Sequence, residues 1–153
     1  MVRLWRVAWM ALGLTLFLQT ILFSDLWAFT VVETRNFREG SLTFKIEVQV
    51  YGRGNLKKGP LTMSSLKVKI KNEKAGIENL KVKTIRVYAQ PTVYMDLETL
   101  GYSISSRQWV TKYYRLKKNK QFILGESGYI EIAFENFSIL FNPRMRNFQG
   151  PVK

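Results

Sequence analysis

From Leu42 to Tyr51 apolar and polar side chains alternate without a break, with Leu42, Phe44, Ile46, Val48 and Val50 on one side and Thr43, Lys45, Glu47, Gln49 and Tyr51 on the other. A period of two over this length predicts a strand with one face buried and one face wet. A shorter extended run, Phe29–Thr34, precedes it, and the glycines and proline of Gly52–Pro60 predict a loop after it. Leu66, Val68 and Ile70 then alternate with Lys67, Lys69 and Lys71. After the turn-rich stretch Asn72–Asn79, Leu80 and Val82 alternate with Lys81 and Lys83. These two runs read as a hairpin. At Thr84 the phase slips and Ile85, Val87 and Ala89 carry the apolar side, as one extra residue in a β-bulge would cause.

The rest of the chain is less even. Gln90–Arg107 follows neither the helical nor the strand period and reads as a long connection holding at most one short strand. Trp109–Leu116 is extended and aromatic, and Lys117–Lys120 is a turn. Phe122–Leu124 leads into the turn Gly125–Gly128, after which Ile130, Ile132 and Phe134 alternate with polar neighbours, and Phe137–Phe141 is the last strand. Residues 143–153 show no apolar period and read as a basic C-terminal tail carrying Arg144, Arg146 and Lys153. No amphipathic helix pattern follows residue 29. About seven strands at such spacing predict an all-β fold, an Ig-like antiparallel β-sandwich over residues 29–142, with an open barrel as the alternative.

The first residues are of a different kind. Arg3 and Arg6 precede the apolar run Val7–Phe23, the order of a signal peptide, with a cleavage site after Ala28 flanked by Leu26. Read instead as an uncleaved helical anchor, the seventeen residues span roughly 25 Å of a roughly 30 Å hydrocarbon core, and extending the helix over residues 4–27 closes the gap. A third reading buries the segment as a helix of a cytoplasmic fold. The first two export residues 29–153, to the periplasm or cell surface, with the anchor adding attachment to the inner membrane.

The stretch LKVKIKNEKAGIENLKVKTIRV (Leu66–Val87), in which an alternating strand ends in Asn and a small loop leads to a second alternating strand, resembles bacterial immunoglobulin-like modules of the CARDB-type and LEA14-type. FILGESGYIEIAF (Phe122–Phe134) is similar to their later strand behind a Gly-Glu-Ser turn. The resemblance implies a binding or spacer module outside the cytoplasm and assigns no functional residue.

Composition narrows the chemistry. The 153 residues contain no Cys and no His, which removes thiolate nucleophiles, disulfides, Ser-His-Asp triads and His-ligated metals. Carboxylates are left as acid–base groups. Glu131 and Glu135 share a strand face but lie roughly 13 Å apart along it. Asp96 and Glu98 would be roughly 7 Å apart on an extended segment, a spacing a carboxylate-dependent hydrolase could use and an exposed turn would show equally. The expectation is no catalytic residue, no cofactor and no metal site. GRGN (Gly52–Asn55) lacks the Lys-Ser/Thr of a phosphate loop. Asn136-Phe137-Ser138 matches a glycosylation sequon by letter only.

Charge supplies the candidates. The formal net charge is +13, and removing Arg3, Arg6 and Asp25 with the leader leaves 22 basic against 10 acidic side chains. In the expected hairpin Lys67, Lys69, Lys71, Lys81, Lys83 and Arg86 share one face, a polyanion-binding surface if an anion comes between them. Otherwise it is a solvated face that blocks edge-to-edge association, or a set of pairs with Glu47, Glu73 or Glu78. Trp109 and Tyr113 fall on one side of their strand, with Val110, Tyr114 and Leu116 on the other, so one aromatic side is either core or an exposed partner-binding surface. Nucleic acid is not expected, because export opposes it and the lysine hairpin has no interleaved aromatics. The reading is an exported, non-catalytic accessory or interaction module of the cell envelope, its partner an envelope protein or, alternatively, an anionic envelope polymer or lipid headgroup.

Overall fold

The computed structural model describes residues 28–74, 79–90, 92–105, 107–117 and 122–153; the expected leader, residues 1–27, and part of the expected turn at Lys117–Lys120 lie outside them. The described residues are all-β. Sheet A is built from β1 (Ala28–Glu39), β2 (Leu42–Asn55) and β3 (Lys58–Asn72) as a meander, with β7 (Val110–Arg115) and β8 (Phe122–Leu124) sharing the far edge of β3. Sheet B follows the order β11 (Asn147–Val152), β10 (Ser138–Asn142), β9 (Tyr129–Phe134), β4 (Leu80–Gln90) and β5 (Val93–Glu98), with β6 (Tyr102–Ile104) sharing the edge of β4 with β5. Every pairing is antiparallel.

The inner faces of the two sheets share one core, a sandwich-like arrangement. Phe44, Ile46, Val48 and Val50 of β2 and Leu66, Val68 and Ile70 of β3 meet Ile85 and Val87 of β4, Ile130 and Ile132 of β9, and Ile139 and Phe141 of β10. A phenyl cluster fills one end. Phe44 lies within 5.6 Å, centroid to centroid, of Phe37, Phe134 and Phe137, joining the sheets, and Phe148 sits 4.7 Å from Phe141 and 5.6 Å from Phe37.

The strand alternations of β2, β3, β4, β7 and β9 match the sequence pattern, and the register of β4 against β9 slips between Val82 and Thr84, where the apolar phase changes. Four expectations are corrected. Residues 66–71 and 80–89 do not form a hairpin: β3 and β4 belong to different sheets. Both strands are central and each satisfies both edges elsewhere; in a hairpin their lysines would stand directly opposite one another, an unfavourable pairing of like charges. Gly52–Pro60 is a turn only at Leu56–Lys57, since β2 runs to Asn55 and β3 starts at Lys58, with register shifts beside Tyr51 and Arg53, and Gly54 holds φ at +123°, a conformation that suits glycine. Gln90–Arg107 holds two strands, β5 and β6, rather than one at most. Residues 143–153 are not a tail, because β11 pairs with β10 and buries Phe148.

Candidate functional site

Pairing of β3 with β2 on one side and β7 on the other sets out the exposed face of sheet A in rows. Val32, Gln49, Lys67 and Tyr113 form one row, and Thr34, Glu47, Lys69 and Thr111 the next. Thr30, Tyr51, Ser65 and Arg115 lie on the far side of the first, while Asn36, Lys45 and Lys71 continue the second. Rows on one face repeat every second residue, roughly 6.6 Å, and strands are spaced about 4.8 Å apart. Lys67, Lys69 and Lys71, singled out by their periodicity, are thus interleaved with the aromatic residues singled out on β7. Trp109 and Tyr113 are 37% and 58% exposed, so the aromatic side of this strand is the outer one.

The aromatic and basic groups touch. The ammonium groups of Lys69 and Lys45 lie 5.1 and 6.0 Å from the centroid of Trp109, so the indole extends from the start of β7 across β3 towards β2. Along β2, Tyr51 Oη donates to Gln49 Oε1 at 2.7 Å, Gln49 Nε2 donates to Glu47 Oε1 at 2.7 Å, and Lys69 Nζ donates to the same oxygen at 2.9 Å. Burial raises the Glu47 pKa, but these bonds and the charges of Lys69 and Lys67 outweigh it and hold the carboxyl below its ordinary value. Lys71 pairs with Glu73 at 3.2 Å at the end of the strand. Within the rows Glu47 stands as the sole carboxylate among Lys45, Lys67, Lys69, Lys71 and Arg115.

The other half of the expected lysine face lies on the opposite side of the molecule. Lys81, Lys83 and Arg86 project from the outer face of sheet B, where carboxylates accompany them. Lys81 pairs with Glu135 at 3.0 Å and Arg86 with Asp96, an ion pair that raises the Arg86 pKa. Glu131, on the strand next to Arg86, accepts hydrogen bonds from Tyr88 Oη at 3.0 Å and Ser138 Oγ at 2.9 Å. The six cations are therefore split three and three, and on each face two of the three are ion-paired and one lies against an aromatic ring, Lys69 against Trp109 and Arg86 against Tyr94 at 4.9 Å.

Asp96 and Glu98 do not act as a pair. Asp96 is engaged by Arg86 on the outer face of sheet B, whereas Glu98 accepts from Tyr114 Oη of sheet A at 3.0 Å and from the Leu100 amide at 3.2 Å. Burial first, then Tyr102 and Glu98, raises the Tyr114 pKa; burial and the Glu98 charge raise that of Tyr102. Lys112, on the inward side of β7, lies 4.9 Å from the Tyr102 ring centroid rather than joining the outer face. Lys45 and Arg53 belong to the outer face and carried no special signal in the sequence. The parity of Lys45 on β2 was readable, whereas Arg53 fell in the stretch read as a loop, and the partner strands that place them beside Lys69, Trp109 and Arg115 were not legible.

Comparison with family models, with curated proteins and with solved structures finds no match for this chain.

Proposed function

We propose that the chain is an exported, non-catalytic, immunoglobulin-like binding module of the cell envelope, and that the outer face of sheet A is its binding surface, taking an anionic envelope polymer. The observation that supports this is the β3–β7 register, which puts Lys67 beside Tyr113 and Lys69 beside Thr111, with the Trp109 ring against Lys69. Cations attract a polyanion at a distance, and aromatic faces hold its repeat units by contact. Export rests on Arg3, Arg6 and the apolar run Val7–Phe23, and a reporter fused behind residues 1–28 should cross the inner membrane; its retention in the cytoplasm would refute that part.

The test is binding of the purified chain to carboxylated, sulfated and phosphorylated polymers over a range of salt. Affinity should fall log-linearly with salt, and Lys67→Gln should lower the slope by about one unit. Trp109→Ala and Tyr113→Ala should weaken binding with little change in slope. Tightest binding to a single-stranded oligonucleotide would move the reading to nucleic acid. A second reading, an envelope protein partner, is favoured by Val32 and Tyr113 standing exposed at the two ends of one row. It predicts a partner complex insensitive to salt and lost with Tyr113→Ala.

A further inference from the structure

Where the far edge of β3 passes from β7 to β8, the strand bulges. Tyr51 pairs with Ser65 and the next residue, Gly52, with Met63, so Ser64 has no register partner on β2. Its hydroxyl donates to the Tyr51 carbonyl at 3.1 Å, and its own carbonyl accepts from the Leu116 amide at 2.9 Å as β7 leaves the sheet. A basin opens here, lined by Arg53, Ser65, Tyr113, Arg115 and Lys117 besides the bulge itself. Arg53 comes from β2 and Arg115 from β7, the two strands that flank β3, and both residues line the basin. Among the described residues Arg53, Arg115 and Lys117 make no ion pair, and no carboxylate lines the basin. Elsewhere on this face Lys69 and Lys71 are each matched by a glutamate.

We infer that this basin is a seat for a phosphoryl group, an inference that rests on the anionic-ligand reading above and names the group that reading left open. Three unmatched cations suit a group carrying close to two negative charges and three acceptor oxygens, as a phosphomonoester does at neutral pH. A carboxylate or a sulfate ester brings one charge. Guanidinium forks offered from two strands suit tetrahedral oxyanions, which they bind through paired N–H donors. Ser65, only 6% exposed, adds a hydroxyl that makes no hydrogen bond among the described residues. The exposed Tyr113 ring at the rim gives the moiety carrying the phosphate a face to stack on. Bulges that re-aim side chains recur beside binding sites.

The experiment is an amide chemical-shift titration of the full chain with inorganic phosphate, phenyl phosphate and phenyl sulfate at constant ionic strength. Saturable shifts should centre on Ser64, Ser65, Arg115 and Lys117. Phenyl phosphate should bind about fivefold tighter than inorganic phosphate, an advantage that Tyr113→Ala removes, and phenyl sulfate should bind at least fivefold weaker than phenyl phosphate. The double variant Arg53→Gln, Arg115→Gln should lose at least tenfold. Equal binding of sulfate and phosphate, or weak linear shifts spread over all the surface lysines, would overturn the seat. So would a folded double variant that binds phosphate like the parent chain, and if that variant does not fold the parent titration alone decides. The two readings fail separately: polymer binding that keeps its salt dependence in the double variant, without phosphate saturation, leaves the face and removes the seat, whereas saturation by phosphate without any polymer binding removes the polymer and leaves the seat.

Discussion

Phe44 is fully buried between the sheets and meets three other phenyl rings, two of them on the far sheet side of the core. Truncation to Ala would leave a cavity walled by rigid rings, so Phe44→Ala should cost about 3–5 kcal/mol, read as a lowered denaturant midpoint with unchanged cooperativity. At the opposite extreme is the Tyr102 hydroxyl, buried without a hydrogen-bond partner among the described residues. Tyr102→Phe keeps the ring and removes that unpaired group, so stability at neutral pH should be unchanged or higher. Tyr102 and Tyr114 both have raised pKa values. Their contribution is therefore complete below the ordinary tyrosine value near 10 and is lost as pH rises through the folded values. Burial also raises Tyr88 and Tyr129, so absorbance at 295 nm should show four tyrosines ionising late, and Tyr102→Phe should remove one of them. Loss of all seven at one ordinary midpoint in the folded chain would contradict this.

At the scale of the element, β11 shows what a sequence pattern can hide. Its single deeply buried apolar residue is Phe148, and the glycine and proline at 150 and 151 break any alternation. Yet Phe148 closes the phenyl cluster, and its carbonyl accepts from Arg35 Nη1 at 2.6 Å, tying β1 of sheet A to the edge of sheet B. Phe148→Ala should therefore lower stability by about 3 kcal/mol or more, measured by chemical denaturation, where a true tail would show no change. Strands with one wet face and one buried face were legible because the period is imposed by the pleat. That held for β2, for β9 and even for the slip at Thr84. Half-exposed strands such as β5, and strands that carry Gly52, Gly54 and Pro60 through bulges, lack that imposed period. Their pairing is decided by neighbours that are distant in sequence.

The same limit applies to the whole molecule. Alternation placed Lys67, Lys69, Lys71 and Lys81, Lys83, Arg86 each on an outward face, and parity separated the two sides of Trp109–Leu116 without saying which of them faces out. Nothing local to residues 66–87 states that the chain changes sheets after Asn72. That crossing decides what each set of cations can do, and it allows a direct test. The triple variant Lys67→Gln, Lys69→Gln, Lys71→Gln and the triple variant Lys81→Gln, Lys83→Gln, Arg86→Gln remove the same formal charge. Any effect of net charge alone must then be equal in both. If sheet A is the binding face, the first variant should lose polyanion affinity at least thirtyfold and lower the salt slope by about three units, while the second stays within about threefold of the parent. The second removes the exposed pairs with Glu135 and Asp96, each worth about 0–1 kcal/mol, so it should still fold. Equal losses from both variants would mean that the ligand responds to total charge and that the aromatic neighbours of Lys67 and Lys69 play no part. A larger loss from the second variant would transfer the site to sheet B, where Arg86 lies against the Tyr94 ring.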